Sequence, residues 1–353
     1  MSDLTRRTFL AGASAAMLAP AATLAAATKP KGRAMIRPPH LRAGDTVAII
    51  APAGVTDGPD NLPSAAKNLE NLGFKVVIGP RADEVWGYLA GHDEARAEDF
   101  NWAVKNPEVR GIITLRGGYG TMRMLPMLDY DAFRKHRKVV SGYSDITGLL
   151  TALTRKSEVI TFHGPIAEAK FEGFEGEWWK RAVMNAQAMG VLATPTALAG
   201  RPVEPAAQTL RGGKAQGRLI GGNLSLIAAT AGTPYGPDFR DAILFLEDTN
   251  EAPYRVDRML TTLWLGGHLQ QLKGLVFADF RPPKIDRDAG PNDDVRSFSL
   301  VQVLQNTTDW LKVPVFTGLY AGHIKDKLTL PIGAKVSIDA DRRMMTVLEP
   351  AVD

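Results

Sequence analysis

Cysteine is absent from this chain of 353 residues. Neither disulfides nor thiolate metal sites are therefore available to it. An excess of one charge is also missing, because 42 lysine and arginine residues stand against 38 aspartate and glutamate residues, for a formal charge of +4. No long basic run follows the first 27 residues, so nucleic-acid binding is not indicated.

The N-terminal 27 residues differ in composition from the rest. Residues 5–10 read TRRTFL, a twin-arginine signature, and an alanine-rich, mildly apolar segment follows and ends in small residues at 25–27. This segment is too short and too weakly apolar to form a stable membrane span. We therefore predict that residues 1–27 are a cleaved signal read by the twin-arginine export machinery, and that the mature protein is periplasmic.

The remaining chain is long enough for two ordinary domains, and 45% of the residues are hydrophobic. Residues 28–44 are expected to form a disordered or loosely docked lead-in. Strands separated by helical segments then predict right-handed crossovers and a parallel sheet, with ligands at the carboxyl ends of the strands. An N-terminal domain is thus assigned to residues 45–186. Its predicted strands are 46–51, 74–78, 109–115, a short apolar run directly before the Gly-Tyr-Ser-Asp turn at 142–145, and 158–162.

A segment rich in Ala, Pro and Thr, residues 187–208, is predicted to be the linker between domains. The C-terminal domain is assigned to residues 209–353. Its predicted elements are a short strand and turn at 217–223, strands at 242–246, 275–280 and 313–316, a long helix at 256–272, and an antiparallel pair within 328–347 that turns at 339–341.

One stretch organises the N-terminal domain. In residues 138–150 a short apolar strand runs into a Gly-Tyr-Ser-Asp turn and then into a helix, which puts the Ser144 hydroxyl at a sharp bend. Free N–H groups at the helix start would face negative charge that develops beside that hydroxyl. The Gly-x-Ser-x-Gly spelling is not met, since Gly148 comes too late. An N-cap role for Ser144 is the alternative.

Attack by a hydroxyl on an amide needs a base, and usually a carboxylate that orients the base. Two of the six histidines, His163 and His323, follow buried strands, where functional residues concentrate. Surface or packing roles are expected for the other four, His40, His92, His136 and His268. Glu247 and Asp248 close an apolar strand, so they lie in a cleft or are paired, for example with Arg255 or Arg258.

Two sequence patterns suggest cofactors without matching them. The glycines of residues 116–120 (RGGYG) invite a dinucleotide interpretation and hence an oxidoreductase, but the third glycine is missing. This loop is better suited to bringing backbone N–H groups close to an oxyanion. Residues 286–290 (DRDAG) resemble a calcium loop, yet Ser297 stands at its twelfth position. We assign no metal and no cofactor.

Eight groups of residues, in chain order, resemble the motifs of the LD-carboxypeptidases, serine peptidases that also include the microcin self-immunity enzymes. The resemblance covers roughly residues 40–350. The motifs are YLAG at 88–91, Arg96, RGGYG at 116–120, GYSD at 142–145, FHGP at 162–165, GGNL at 221–224, LED at 246–248 with 253–254 and 257–258, and GH at 322–323.

This resemblance implies a Ser-His-Glu triad divided between two domains. Ser144 matches the family nucleophile, Glu247 the carboxylate and His323 the base, with Glu251 as the alternative carboxylate. Backbone amides of Gly118 and Asp145 would form the oxyanion hole. His163 matches a motif histidine that is not the base.

The implied fold is α/β, a Rossmann-like N-terminal domain with a mainly parallel sheet and a smaller β-rich C-terminal domain, in a homodimer. The implied reaction releases the terminal D-alanine from murein tetrapeptides, so peptidoglycan-derived peptides are the expected partners. Two alternatives stay open: hydrolysis of other peptide or acyl-amide conjugates, and a periplasmic protein that binds peptide without cutting it.

Overall fold

The computed structural model describes residues 34–192, 203–281 and 297–353. The predicted signal at 1–27, the middle of the predicted linker and the calcium-like residues 286–290 lie outside the described residues. Within the described ranges, no helix combines the length and the apolar character that crossing a membrane requires.

The first half of the chain alternates strands and helices. Its strands are short runs rich in Val and Ile, and most of their residues are buried because helices cover both faces of a parallel sheet. They are β1 (Thr46–Ile50), β2 (Lys75–Ile78), β3 (Val109–Thr114), β4 (Val139–Gly142) and β5 (Thr161–His163). The helices are α1 (Asn61–Glu70), α2 (Asp93–Lys105), α3 (Thr121–Met124), α4 (Tyr130–His136), α5 (Ile146–Ser157) and α6 (Gly173–Val183).

The second half contributes more strands than helices. Its strands are β6 (Ala188–Val191), β7 (Thr209–Arg211), β8 (Lys214–Asn223), β9 (Ala242–Thr249), β10 (Gly274–Arg281), β11 (Val315–Thr317), β12 (Leu330–Ile332), β13 (Lys335–Asp339) and β14 (Met344–Pro350). The helices are α7 (Leu224–Thr230), α8 (Pro253–Leu265) and α9 (Leu300–Asp309), the last opened by a capping box between Ser299 and Gln302.

Two sheets carry these strands. The first has the order β12-β5-β4-β3-β1-β2, in which β1 to β5 run parallel and β12 is antiparallel to β5. The strand order reverses between β1 and β3, which is where doubly wound sheets bind ligands. The second has the order β6-β14-β13-β8-β9-β10-β11-β7, with a parallel centre from β8 to β11. The predicted α/β class with a mainly parallel N-terminal sheet is confirmed.

Strand β12 was predicted as part of a closing antiparallel pair, and that prediction is wrong. Only β13 and β14 form the pair, and β12 instead extends the first sheet beside β5. The two halves therefore share a core. One apolar cluster contains Phe162 from the first half together with Leu219, Phe245 and Leu330 from the second.

Three other element boundaries differ from the prediction. The helix predicted at 256–272 ends at Leu265, because Gly266 follows and Gly267 takes a φ of +71°. The predicted linker begins with a strand, β6, which pairs with β14. The lead-in is packed from residue 34 onward, since Leu41 is fully buried and its N–H donates to the carbonyl of Val183.

Candidate active site

Ser144 lies in a tight turn between β4 and α5, at the carboxyl end of the strand. Its φ is +66°, a left-handed conformation that is unusual for a residue with a side chain. The position that caps α5 is Asp145 rather than Ser144, and no side chain there makes a capping hydrogen bond. The Ser144 hydroxyl is therefore not an N-cap group, and the turn presents it away from the helix.

The Ser144 hydroxyl is hydrogen-bonded to His323. The distance from its Oγ to Nε2 of His323 is 3.0 Å, across 179 positions of sequence. The other ring nitrogen, Nδ1, lies 2.7 Å from Oε2 of Glu247. An ionised carboxylate only accepts, so we assign the proton to Nδ1, which leaves Nε2 to accept from the hydroxyl. Ser144, His323 and Glu247 form one continuous chain of hydrogen bonds.

Glu247 is the buried end of this chain, with none of its surface exposed. Burial alone would raise its pKa, but the charge and hydrogen bond of His323, together with the nearby His163 ring, prevail and lower it to about 2. The carboxylate is consequently ionised at neutral pH and available to stabilise an imidazolium.

The pKa of His323 is raised. Burial acts to lower it, and the opposing charge of Glu247 together with its hydrogen bond outweighs that effect. A histidine that must accept a proton has to be neutral first. Because its pKa is raised, the imidazole is neutral, and so able to accept a proton, only at a higher pH than an ordinary histidine requires.

The glycine loop at residues 116–120 lies against the Ser144 turn. A Cβ atom added to Gly117 would come within 2.8 Å of Cβ and 3.0 Å of Oγ of Ser144, so only glycine permits this approach. The backbone N–H groups of Gly118 and Asp145 donate to no acceptor in the described part of the chain. Such free donors beside a hydroxyl are suited to an oxyanion, and their assignment to that role stays a prediction.

Two buried side chains fix the glycine loop in place. The guanidinium of Arg96, which is 2% exposed, donates to the carbonyls of Pro52 at 2.6 Å and Gly120 at 2.9 Å. The carboxylate of Asp145 accepts from the N–H of Thr121 at 2.8 Å. The sequence analysis named Arg96 as a motif residue but assigned it no role. Its position on the buried face of α2, where a charged side chain must be paired, could have indicated one.

The other candidate carboxylates are engaged elsewhere. Asp248 points to the opposite face of β9, where Asn223 donates to it at 2.9 Å and the hydroxyl of Ser225 also at 2.9 Å. Glu251 lies 3.8 Å from Arg255 in an exposed ion pair. The alternative ion pair of Glu247 with Arg255 or Arg258 is not formed.

The histidines separate as the sequence predicted, with one addition. Four make contacts away from Ser144 or end a helix: His40 bonds the Asp353 carbonyl, His92 stacks on Trp86, His268 stacks on Phe239, and His136 ends α4. The fifth, His163, is fully buried with Nε2 3.7 Å from Oε1 of Glu247. Sequence reasoning placed His163 at a strand end but missed this proximity.

No cluster of three metal-binding side chains occurs among the residues that the structure describes.

Both halves of the chain match domains of one protein family. Residues 47–164 match the LD-carboxypeptidase N-terminal domain, and residues 216–338 match the LD-carboxypeptidase C-terminal domain. A probable murein peptide carboxypeptidase of Bacillus subtilis is 35% identical over 88% of this chain and 94% of its own length.

Two solved structures are similar throughout. The muramoyltetrapeptide carboxypeptidase of Oxalobacter formigenes gives a TM-score of 0.72 at 31% identity, covering 85% of this chain and 97% of its own. The microcin C7 self-immunity protein MccF in complex with aspartyl sulfamoyl adenosine gives 0.79 at 25% identity, covering 90% and 100%.

Proposed function

Because the chain belongs to the LD-carboxypeptidase family and is a serine-type carboxypeptidase, we propose that it hydrolyses the L,D-peptide bond before the terminal D-alanine of murein tetrapeptides. The reaction passes through an acyl-enzyme on Ser144. The observation that carries the proposal is the unbroken chain of hydrogen bonds from Ser144 through His323 to Glu247.

In the first half of the reaction, Nε2 of His323 takes the proton of Ser144 as Oγ attacks the scissile carbonyl carbon. Glu247 remains ionised and stabilises the imidazolium that forms. The N–H groups of Gly118 and Asp145 receive the carbonyl oxygen as it becomes negative. The imidazolium then gives its proton to the departing amine, and D-alanine leaves.

In the second half, His323 takes a proton from water, and the resulting hydroxide attacks the ester carbonyl of the acyl-enzyme. The same N–H groups stabilise the second tetrahedral intermediate. Its collapse returns the proton to Oγ of Ser144 and releases the tripeptide.

The decisive experiment is incubation of mature protein with purified muropeptides, followed by mass analysis for the loss of one alanine. We expect wild type to release D-alanine and the Ser144→Ala variant to release none while still binding the peptide. Wild type that binds tetrapeptide without cutting it would support the peptide-binding alternative instead.

The structural similarity to the MccF complex favours a second candidate, hydrolysis of other peptide or acyl-amide conjugates. The same triad would perform it, since only the leaving group differs. Turnover of an aminoacyl sulfamoyl nucleoside, with none of murein tetrapeptide, would select this candidate over the first.

We further propose that the twin-arginine machinery exports the protein and that it works as a periplasmic homodimer. The export proposal rests on the sequence of residues 5–10. The dimer rests on the family resemblance and is tested by the mass of the mature protein in solution. In the periplasm the substrate could be free muropeptides or peptide stems of the wall, which digestion of intact sacculi would distinguish.

A further inference from the structure

A second imidazole lies beside the buried carboxylate of the active site. His163 ends β5 and is fully buried, and its Nε2 is 3.7 Å from Oε1 of Glu247. Oε1 is the oxygen that His323 does not use, because His323 contacts Oε2. Neither Oε1 nor either ring nitrogen of His163 makes a hydrogen bond with the described residues.

Aromatic rings hold the His163 ring in this position. The ring of Phe245, on the same strand as Glu247, meets it edge to face with centroids 5.1 Å apart. The ring of Tyr143, the residue before the nucleophile, stands 6.3 Å away on another side and also contacts His323, at 5.1 Å. Beside these rings, Nε2 of His163 lies 3.7 Å from an acceptor, Oε1 of Glu247.

Leaving a buried donor and a buried carboxylate oxygen unpaired is unfavourable. A small adjustment of either side chain brings Nε2 and Oε1 to hydrogen-bonding distance and satisfies both. Since Oε2 is already occupied, the carboxylate would then be fixed at both oxygens. Its orientation toward His323 would no longer depend on a single contact.

We propose that His163 is a positioning residue, whose Nε2–H donates to Oε1 of Glu247 and so holds the carboxylate in the orientation that directs Oε2 at His323. His163 touches neither Ser144 nor the place where substrate is attacked. It acts on the reaction through Glu247 alone. This proposal rests on Ser144 being the nucleophile, but not on the identity of the peptide that is cut.

The proposal has a consequence for proton affinity. Glu247 and His323 take up one shared proton as the pH falls, and a donor on Oε1 stabilises the state without that proton. Removing the His163 donor therefore raises the proton affinity of the Glu247–His323 pair, whichever of the two side chains carries the proton. Other charged or titratable groups around the pair are Asp248, Asp279, Tyr143 and Lys327, and substitution of His163 leaves all four in place.

The test compares His163→Phe, which keeps a ring of similar size, with His163→Gln, whose amide can donate from nearly the same place. The readout is the rate at which a fluorophosphonate probe modifies Ser144, measured against pH, because this reaction needs the triad but no peptide. We expect His163→Phe to slow modification by about 10- to 100-fold and to move the acid limb to higher pH. His163→Gln should restore most of the modification rate, and its acid limb should lie at the same pH as that of wild type.

A matched control is His268→Phe, which removes an imidazole stacked on Phe239 far from the triad, and it should change neither quantity. The proposal is overturned if His163→Phe leaves the acid limb in place, or if the phenylalanine and glutamine variants lose the same rate. Failure of wild type to cut tetrapeptide, with normal probe modification, would contradict the proposed substrate and leave the role of His163 intact.

If His163→Phe does not fold, a measurement on wild type tests whether Nε2 of His163 carries a proton and contacts Glu247. In a sample labelled with ¹⁵N at histidine, we expect the Nε2 resonance of His163 to have the shift of a protonated nitrogen and to move in Glu247→Gln. An unprotonated Nε2, or one that Glu247→Gln does not affect, would refute the proposal.

Discussion

Gly322 lies directly against the carboxylate of Glu247. A Cβ atom on Gly322 would stand 2.7 Å from Oε2 and 2.9 Å from Cβ of Glu247. Its φ is +107°, in the region that favours glycine. Gly322 therefore leaves the space that the Glu247 side chain occupies, which explains why glycine precedes His323, the proposed base.

Replacing this glycine should disable the enzyme by displacing Glu247. For Gly322→Ala we expect activity to fall by about 100-fold or more, because a shift of about 1 Å in a catalytic group has that effect. Gly44→Ala is the matched control, since Gly44 also has positive φ, +90°, but open space around it. Both variants should lose about 1 kcal/mol in the free energy of unfolding from backbone strain. Equal activity in the two variants would contradict the steric explanation.

The conformation of Ser144 predicts a conflict between stability and activity. Its φ of +66° is unfavourable for any residue with a Cβ atom. Ser144→Gly should therefore be more stable to unfolding than Ser144→Ala by about 1 kcal/mol, although both lack the nucleophile. Urea denaturation of the two variants measures the difference. A less stable glycine variant would show that the turn is not strained.

Activity should decline on the acid side as His323 becomes protonated. Because the charge of Glu247 raises the pKa of His323 against the effect of burial, the midpoint of the acid limb of kcat/KM should lie above the ordinary histidine value of 6.5. In Glu247→Gln the opposing charge is gone and burial prevails. The acid limb should then move to lower pH, and kcat/KM above the limb should be about 10⁴-fold lower than in wild type.

The pH profiles of wild type and Glu247→Gln can be compared on the same substrate. A limb that stays in place when Glu247 is neutralised would mean that another group controls the acid side. Asp248 is the group to examine next, since burial and the charge of Glu247 raise its pKa to about 6.

The twin-arginine proposal predicts that export depends on two residues. Replacing Arg6 and Arg7 together by lysine should retain the protein in the cytoplasm, because the export machinery recognises the paired guanidinium groups. Fractionation of cells producing each form, with detection of the C-terminus, measures the distribution. Unchanged periplasmic recovery of the double-lysine form would contradict this route.

The local elements were largely predictable. Strands such as β1 and β4 are short, mostly apolar runs that end at turn residues, and this pattern is typical of buried strands. The strand, turn and helix around Ser144 were likewise evident from residues 138–150. Errors occurred where the outcome depends on distant partners: β12 is as apolar as a hairpin strand would be, and only the free edge beside β5 decides its sheet.

The candidate site was predictable in its members but not in its details. Ser144, Glu247 and His323 could be selected because each follows or ends a buried strand and fits a family motif. The proximity of His163 to Glu247 was not predictable, since β5 and β9 belong to different sheets. Likewise, nothing in the spacing of Gly117 indicated that it would contact Ser144.

By itself, the sequence determined which segments form strands and helices, because hydrophobic periodicity and turn residues act over a few positions. It also determined the chemical inventory, a chain with no thiol and few imidazoles. Only the tertiary structure decided which of those groups meet. A hydroxyl and an imidazole 179 positions apart come within 3.0 Å because two sheets pack through a common core, and such packing depends on contacts that no local pattern specifies.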